Sequence, residues 1–116
     1  MANPQTENGY TRVANELMEA LARIRIPGES RQVLDGIIRK TYRFGKKEDA
    51  ISLAQFCLAA GLKKVAVCKA VNKLSEMNLI TKKGNGNLQI YGLDKDYSQW
   101  KPLPKKVTLP KKLPTI

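Results

Sequence analysis

The chain has 116 residues, 42% hydrophobic and 27% charged, a balance that suits one folded domain with a modest core and excludes wholesale disorder. Lysine and arginine number 21 against 10 aspartates and glutamates, so the formal net charge is +11 and a polyanionic partner is favoured. Histidine is absent, which excludes Ser–His and Cys–His nucleophile pairs and any imidazole zinc site.

Residues 1–9 are polar, with Pro4 and Gly9, and read as a flexible N-terminus ahead of a domain spanning 10–100. Val13, Leu17, Leu21 and Ile24 recur at helical spacing and predict a first amphipathic helix over about 14–24. Pro27-Gly28 breaks it, with Pro27 suited to the first turn of the next helix. Val33, Leu34, Ile37, Ile38 and Tyr42 form the apolar stripe of that second helix, which runs to about Tyr42. Gly45 ends a basic turn. A short extended piece around Ile51 then leads into Ser52, where Ser52-x-x-Gln55 has the form of a capping box. The third helix is expected to bury Leu53, Phe56, Ala60 and Leu62, and Gly61 supplies a left-handed residue for a sharp turn. In the fourth helix, Lys64–Met77, the inward positions are Val67, Val71 and Leu74, and Asn78 stops it. Two β-prone runs, Leu79–Lys83 and Leu88–Tyr91, flank Gly84-Asn85-Gly86-Asn87, the pattern of a hairpin. Residues 101–116 hold four prolines and five lysines and read as a basic, extended tail or linker.

This order predicts a mainly α fold with a small β-hairpin, a winged helix-turn-helix. The capped third helix braces the fourth, whose outward face would enter the major groove of double-stranded DNA. That face holds Lys63, Lys64, Val65, Cys68, Lys69, Asn72 and Lys73. Lysine suits phosphates or guanine edges, asparagine can pair with adenine, and small apolar groups meet a thymine methyl. The wing offers Lys82, Lys83, Asn85, Asn87 and Gln89. A further basic block on the second helix and its following turn, Arg39, Lys40, Arg43, Lys46 and Lys47, is a candidate backbone contact. The bland alternative is a set of solvated faces carrying lysines for solubility. Tyr42, Phe44, Tyr91, Tyr97 and Trp100 are not interleaved with the basic runs as a single-strand binder requires. They are expected to plug the core, with Trp100 pinning the domain's end.

Catalysis has little to work with. Neither a GxxxxGK[ST] phosphate loop nor a dinucleotide fingerprint is present, and no cofactor or metal is expected. Cys57 and Cys68 read as reduced, small and half-buried. The acidic pairs Glu48-Asp49 and Asp94/Asp96 read as solvated turns. No signal peptide or membrane span is legible, which points to the cytoplasm. Leu17, Met18, Leu21 and Ile24 of the first helix could serve a homodimer contact or plain core packing. A protein-interaction module without DNA is disfavoured by the charge.

Several stretches carry a resemblance: Asn8-Gly9-Tyr10-Thr11-Arg12, Asn15–Leu21, Ile37-Ile38-Arg39-Lys40-Thr41-Tyr42, Lys46–Asp49, Ile51–Gln55, Gly61-Leu62, Met77–Ile80 and Asp94–Trp100. Over about residues 8–100 the chain resembles the N-terminal domain of the phage replication protein O family, the lambdoid origin-binding initiators. The resemblance implies origin binding through a winged helix, often as a dimer. It also implies recruitment of replication helicase machinery through a C-terminal part beyond this chain. Lys63 stands where family members often have serine, and Ala66 where they have a polar residue, so base preference does not carry over. A winged-helix transcription regulator is the alternative role for the same fold.

Overall fold

The computed structural model describes residues 2–84 and 89–102. Four helices carry the core: α1 (Asn15–Arg23), α2 (Gly28–Tyr42), α3 (Leu53–Ala60) and α4 (Lys64–Glu76). Three short strands, β1 (Glu48–Ala50), β2 (Ile80–Lys83) and β3 (Ile90–Leu93), form an antiparallel sheet in the order β1-β3-β2. The fold is mainly α with a small β-hairpin, a winged helix-turn-helix.

Local chemistry explains the boundaries. Pro27 stands at the N-cap of α2, one residue ahead of the expected first turn. At α3 the capping box is complete: Ser52 Oγ accepts from the Gln55 amide, and Gln55 Oε1 accepts from the Ser52 amide at 2.9 Å. Gly61 ends α3 at φ 68°, and its amide donates to the Cys57 carbonyl at 2.9 Å. Gln32 on α2 donates to the Ala60 carbonyl at 2.8 Å and so satisfies another helix end. Asn78 follows α4 with φ 60°, and its side-chain amide donates to the Gln99 carbonyl at 3.1 Å.

α2 is the spine. Val33, Leu34 and Ile37 are fully buried, and α3, α4 and β3 pack around them. Ala59 of α3 packs over Gly36, its methyl 3.5 Å from where a Cβ would stand, an ordinary contact distance. Leu17 and Leu21 of α1 are buried and Ile24 packs against the core, leaving Met18 as the exposed apolar residue of that set. Trp100 packs against the same core and donates from Nε1 to the Asp94 carbonyl at 2.8 Å.

Some sequence expectations need correcting. The short strand expected around Ile51 lies slightly earlier, at Glu48–Ala50, and joins the hairpin as a third strand: Glu48, Asp49 and Ala50 pair with Gly92, Tyr91 and Ile90. Glu48 and Asp49 are therefore strand residues with ion-pair partners, not a solvated turn. Leu53 is exposed, because the first turn of α3 opens onto a surface groove. Tyr91 is buried edge-on to Phe56, as expected of a core plug, with Tyr42 and Trp100 half-buried. Phe44 is exposed, however, since it sits on the turn after α2 and is covered on one side by the Arg43 guanidinium. Tyr97 is exposed on a short 3-10 turn, its hydroxyl donating to Glu16. Cys57 is half-buried, but Cys68 is exposed on the outer arc of α4; both are free thiols. Asn85, Asn87 and most of the expected tail, residues 103–116, lie outside the described residues.

Candidate nucleic-acid interface

The pattern of buried residues orients α4. Val67, Ala70, Val71, Leu74 and Met77 face the core. Lys64, Val65, Cys68, Lys69, Asn72 and Lys73 are consequently left on the exposed side, with Lys63 exposed at the N-cap. Val65 is an apolar side chain 65% exposed in the first turn, where a soluble helix gains nothing from it. Lys63 makes no side-chain cap, unlike Ser52 at α3, so the first amides of α4 depend on other partners.

Strand alternation decides what the hairpin presents. Lys82 pairs with Tyr91, and Lys83 pairs with Ile90. Because Tyr91 points into the core against Phe56, Lys82 stands on the helix side of the sheet and Lys83 on the other. Lys82 and Gln89 then join Cys68 and Asn72 around a groove of about 380 Å³ between α4, the start of α3 and the hairpin. Ile51, Leu53, Phe56, Val67, Val71 and Tyr91 complete its lining. The Gln89 amide oxygen accepts a long hydrogen bond from the Tyr91 hydroxyl at 3.4 Å, beside the groove wall. Burial raises the Tyr91 phenol above its ordinary value, with a smaller contribution from Cys68, so it remains a hydrogen-bond donor near neutral pH.

The cations divide in two. Among the described residues, none of Lys63, Lys64, Lys69, Lys73 and Lys82 has a carboxylate within 4.0 Å. Lys83 instead meets Glu48 at 3.0 Å, and Lys46 meets Asp49 at 3.6 Å, so β1 partly neutralises both. Arg39 and Lys40 line a separate concavity with Phe44 and Ala59, between α2 and α3. Arg43 lines another, with Tyr10, Arg12, Tyr42 and Gly45. Lys47 is exposed just before β1, its carbonyl packed against Gly92. The α4 face and Lys82 thus form one surface, and the Arg39–Lys47 block is not part of the groove. Ile51, Leu53 and Phe56 escaped the sequence reading as groove residues. The helical start at Ser52 was the available signal, since it places the first turn of α3 beside α4.

Among the described residues no group of three His, Cys, Asp or Glu side chains could hold a metal ion. No described helix is long and apolar enough to cross a membrane.

Comparison with known proteins bears on the same stretch. The chain is 33% identical over 93 residues to replication protein 15 of Enterobacteria phage phi80, covering 80% of this chain and 31% of the relative. It is 33% identical over 97 residues to DNA replication protein gp18 of Salmonella phage P22, covering 84% and 34%. It is 31% identical over 94 residues to replication protein O of Escherichia phage lambda, covering 81% and 27%. The chain therefore spans about a third or less of the length of these relatives. No solved structure matches it. The profile of the family described as "Bacteriophage replication protein O" matches residues 2–100, which takes in all four helices and all three strands. The chain belongs to the bacteriophage replication protein O family.

Proposed function

We propose that this chain is a sequence-specific double-stranded DNA-binding domain that acts in phage replication initiation by marking the origin. One observation carries the reading: Cys68 and Asn72 of α4 face Lys82 and Gln89 of the hairpin across a single groove. An α-helix fits the major groove, and a flanking strand pair can follow the adjacent backbone. Lys64, Lys69 and Lys82 then serve as phosphate contacts, while Asn72, with Val65 and Cys68, supplies a polar and an apolar reader of base edges. The relatives are named as replication proteins, which favours an origin over a promoter as the target.

In this reading the domain acts by binding and needs no cofactor. It works in the host cytoplasm, where the phage DNA lies. Pairing of two copies on repeated half-sites would enlarge the interface available to so small a module. Recruitment of replication helicase machinery would need sequence outside the stretch shared with the longer relatives.

Footprinting on DNA flanking the chain's own gene tests the reading, with repeated protected sites expected. Asn72→Ala should lose about 1–3 kcal/mol of discrimination between the protected site and random duplex. Lys69→Ala should weaken both by similar factors. Footprints absent from the flanking DNA, or equal effects of the two variants on both duplexes, would defeat the assignment.

A further inference from the structure

Of the basic residues left out of the groove, Arg43 lies at another place, beside Arg12. Ala50, Ile90 and Lys83 lie at the hairpin-tip end of the sheet, whereas Glu48 and Gly92 lie towards the other end. The chain reaches β1 from that other end, through Arg43, Gly45, Lys46 and Lys47. Here Tyr10, Arg12, Tyr42, Arg43 and Gly45 line a concavity of about 320 Å³ that shares no residue with the groove beside α4.

Its chemistry is one-sided. Two guanidinium groups border it, and neither has a carboxylate within 4.0 Å among the described residues. The Arg43 guanidinium is already held, its Cζ 5.3 Å from the centre of the Phe44 ring. On its other contact it packs so tightly on Gly9 that a Cβ there would stand 2.7 Å from Nη2. A held planar fork loses little freedom when it takes up an oxyanion. The Tyr42 hydroxyl is buried with no hydrogen-bond partner among the described residues. Buried hydroxyls nearly always have one. Desolvation raises this phenol above its ordinary value, so the proton stays on and can be donated.

We propose that this concavity is a phosphate-binding site separate from the duplex groove. Arg12 and Arg43 supply the charge, and Tyr42 lines the same concavity with a hydroxyl that has no partner among the described residues, a neutral donor that a small side-chain shift would bring to a phosphate oxygen. Paired guanidinium forks match phosphate in both shape and charge. The phosphate belongs either to the backbone of a DNA segment outside the groove or to a free phosphate-bearing small molecule.

Amide chemical shifts of the full chain test this directly. Inorganic phosphate, added at constant ionic strength against a chloride control, should move the amides of Arg12, Arg43 and Gly45 and leave those of Cys68 and Asn72 in place. Arg12→Gln and Arg43→Gln should each weaken this response about tenfold, the scale of one charge-assisted hydrogen bond. Tyr42→Phe should weaken it less, and an unchanged melting temperature identifies a local effect. A short duplex in excess over protein forms the second arm. Late shifts at Arg12 and Gly45, after the α4 amides saturate, assign the phosphate to a second DNA segment. A response to inorganic phosphate alone assigns it to a free phosphate compound. Phosphate shifts confined to α4, or shifts that survive both arginine substitutions, overturn the site. The inorganic-phosphate arm stands whether or not α4 binds DNA, so its failure is distinguishable from failure of the origin-binding reading.

Discussion

Lys82 and Lys83 are neighbours with the same charge, yet a strand sends successive side chains to opposite faces. Lys82 borders the groove with Asn72, and Lys83 is matched by Glu48 at 3.0 Å. Their substitutions should therefore differ. Lys82→Ala should weaken binding to any duplex and reduce the dependence of log affinity on log salt by about one. Lys83→Ala should leave that slope nearly unchanged, because an ion-paired lysine releases few counterions from DNA. Fluorescence anisotropy over a salt series checks both, and equal slopes in the two variants would refute the division. From the sequence the two lysines look interchangeable. The register that separates them depends on Tyr91 pointing inward, and that is fixed by its contact with Phe56, a residue distant in the chain. The outward arc of α4 needed no such partner. Val67, Val71 and Leu74 already define which side is buried, so Lys69 and Asn72 were legible at once, while Cys68, placed on the same arc, is also expected to be half-buried and is exposed.

At the level of elements, what could be read depended on whether the signal was local. The capping box at Ser52, the left-handed Gly61 and the stop at Asn78 are each written within a few residues, and each appears in the structure. β1 is different. Glu48-Asp49-Ala50 has low strand propensity, and the strand exists because β3 offers it an edge. Gly92 makes that pairing close: a Cβ there would lie 2.6 Å from the Lys47 carbonyl oxygen and 3.2 Å from the Glu48 Cβ. Gly92→Ala should therefore push β1 outward and cost about 1–3 kcal/mol, as overpacking does elsewhere. Urea denaturation gives the loss. Faster hydrogen exchange at the Ile51 amide, which donates to the Gln89 carbonyl at 3.1 Å, would localise it to this edge. Ser52→Ala is the companion measurement. It removes a helix cap, should cost about 1 kcal/mol, and should leave that edge's pairing intact. Unaltered stability in Gly92→Ala would mean that β1 tolerates displacement and contributes little to the domain.

For the molecule as a whole, the excess of 21 basic over 10 acidic residues matters less than its distribution. Lys63, Lys64, Lys69, Lys73 and Lys82 lie on or beside the α4 face without carboxylate partners among the described residues, while Arg12 and Arg43 border a different concavity. A phosphate neutralised on B-DNA contributes about −0.9 to the slope of log affinity against log salt. Engagement of all five lysines by one duplex thus predicts a slope of about −4 to −5. On a duplex only long enough to fill the groove, replacing Arg12 and Arg43 together by glutamine should leave the slope unaltered. Where the phosphate of the other concavity is DNA backbone, longer DNA should give the native chain a slope steeper by about two, and the double variant should lose that increment; where it is a free phosphate compound, the slope should not depend on DNA length in this way. Loss of slope on the short duplex would mean that both basic regions grip one DNA segment. A flat salt response on either DNA would remove the electrostatic basis for binding altogether, since a +11 chain that ignores salt is not held by phosphates.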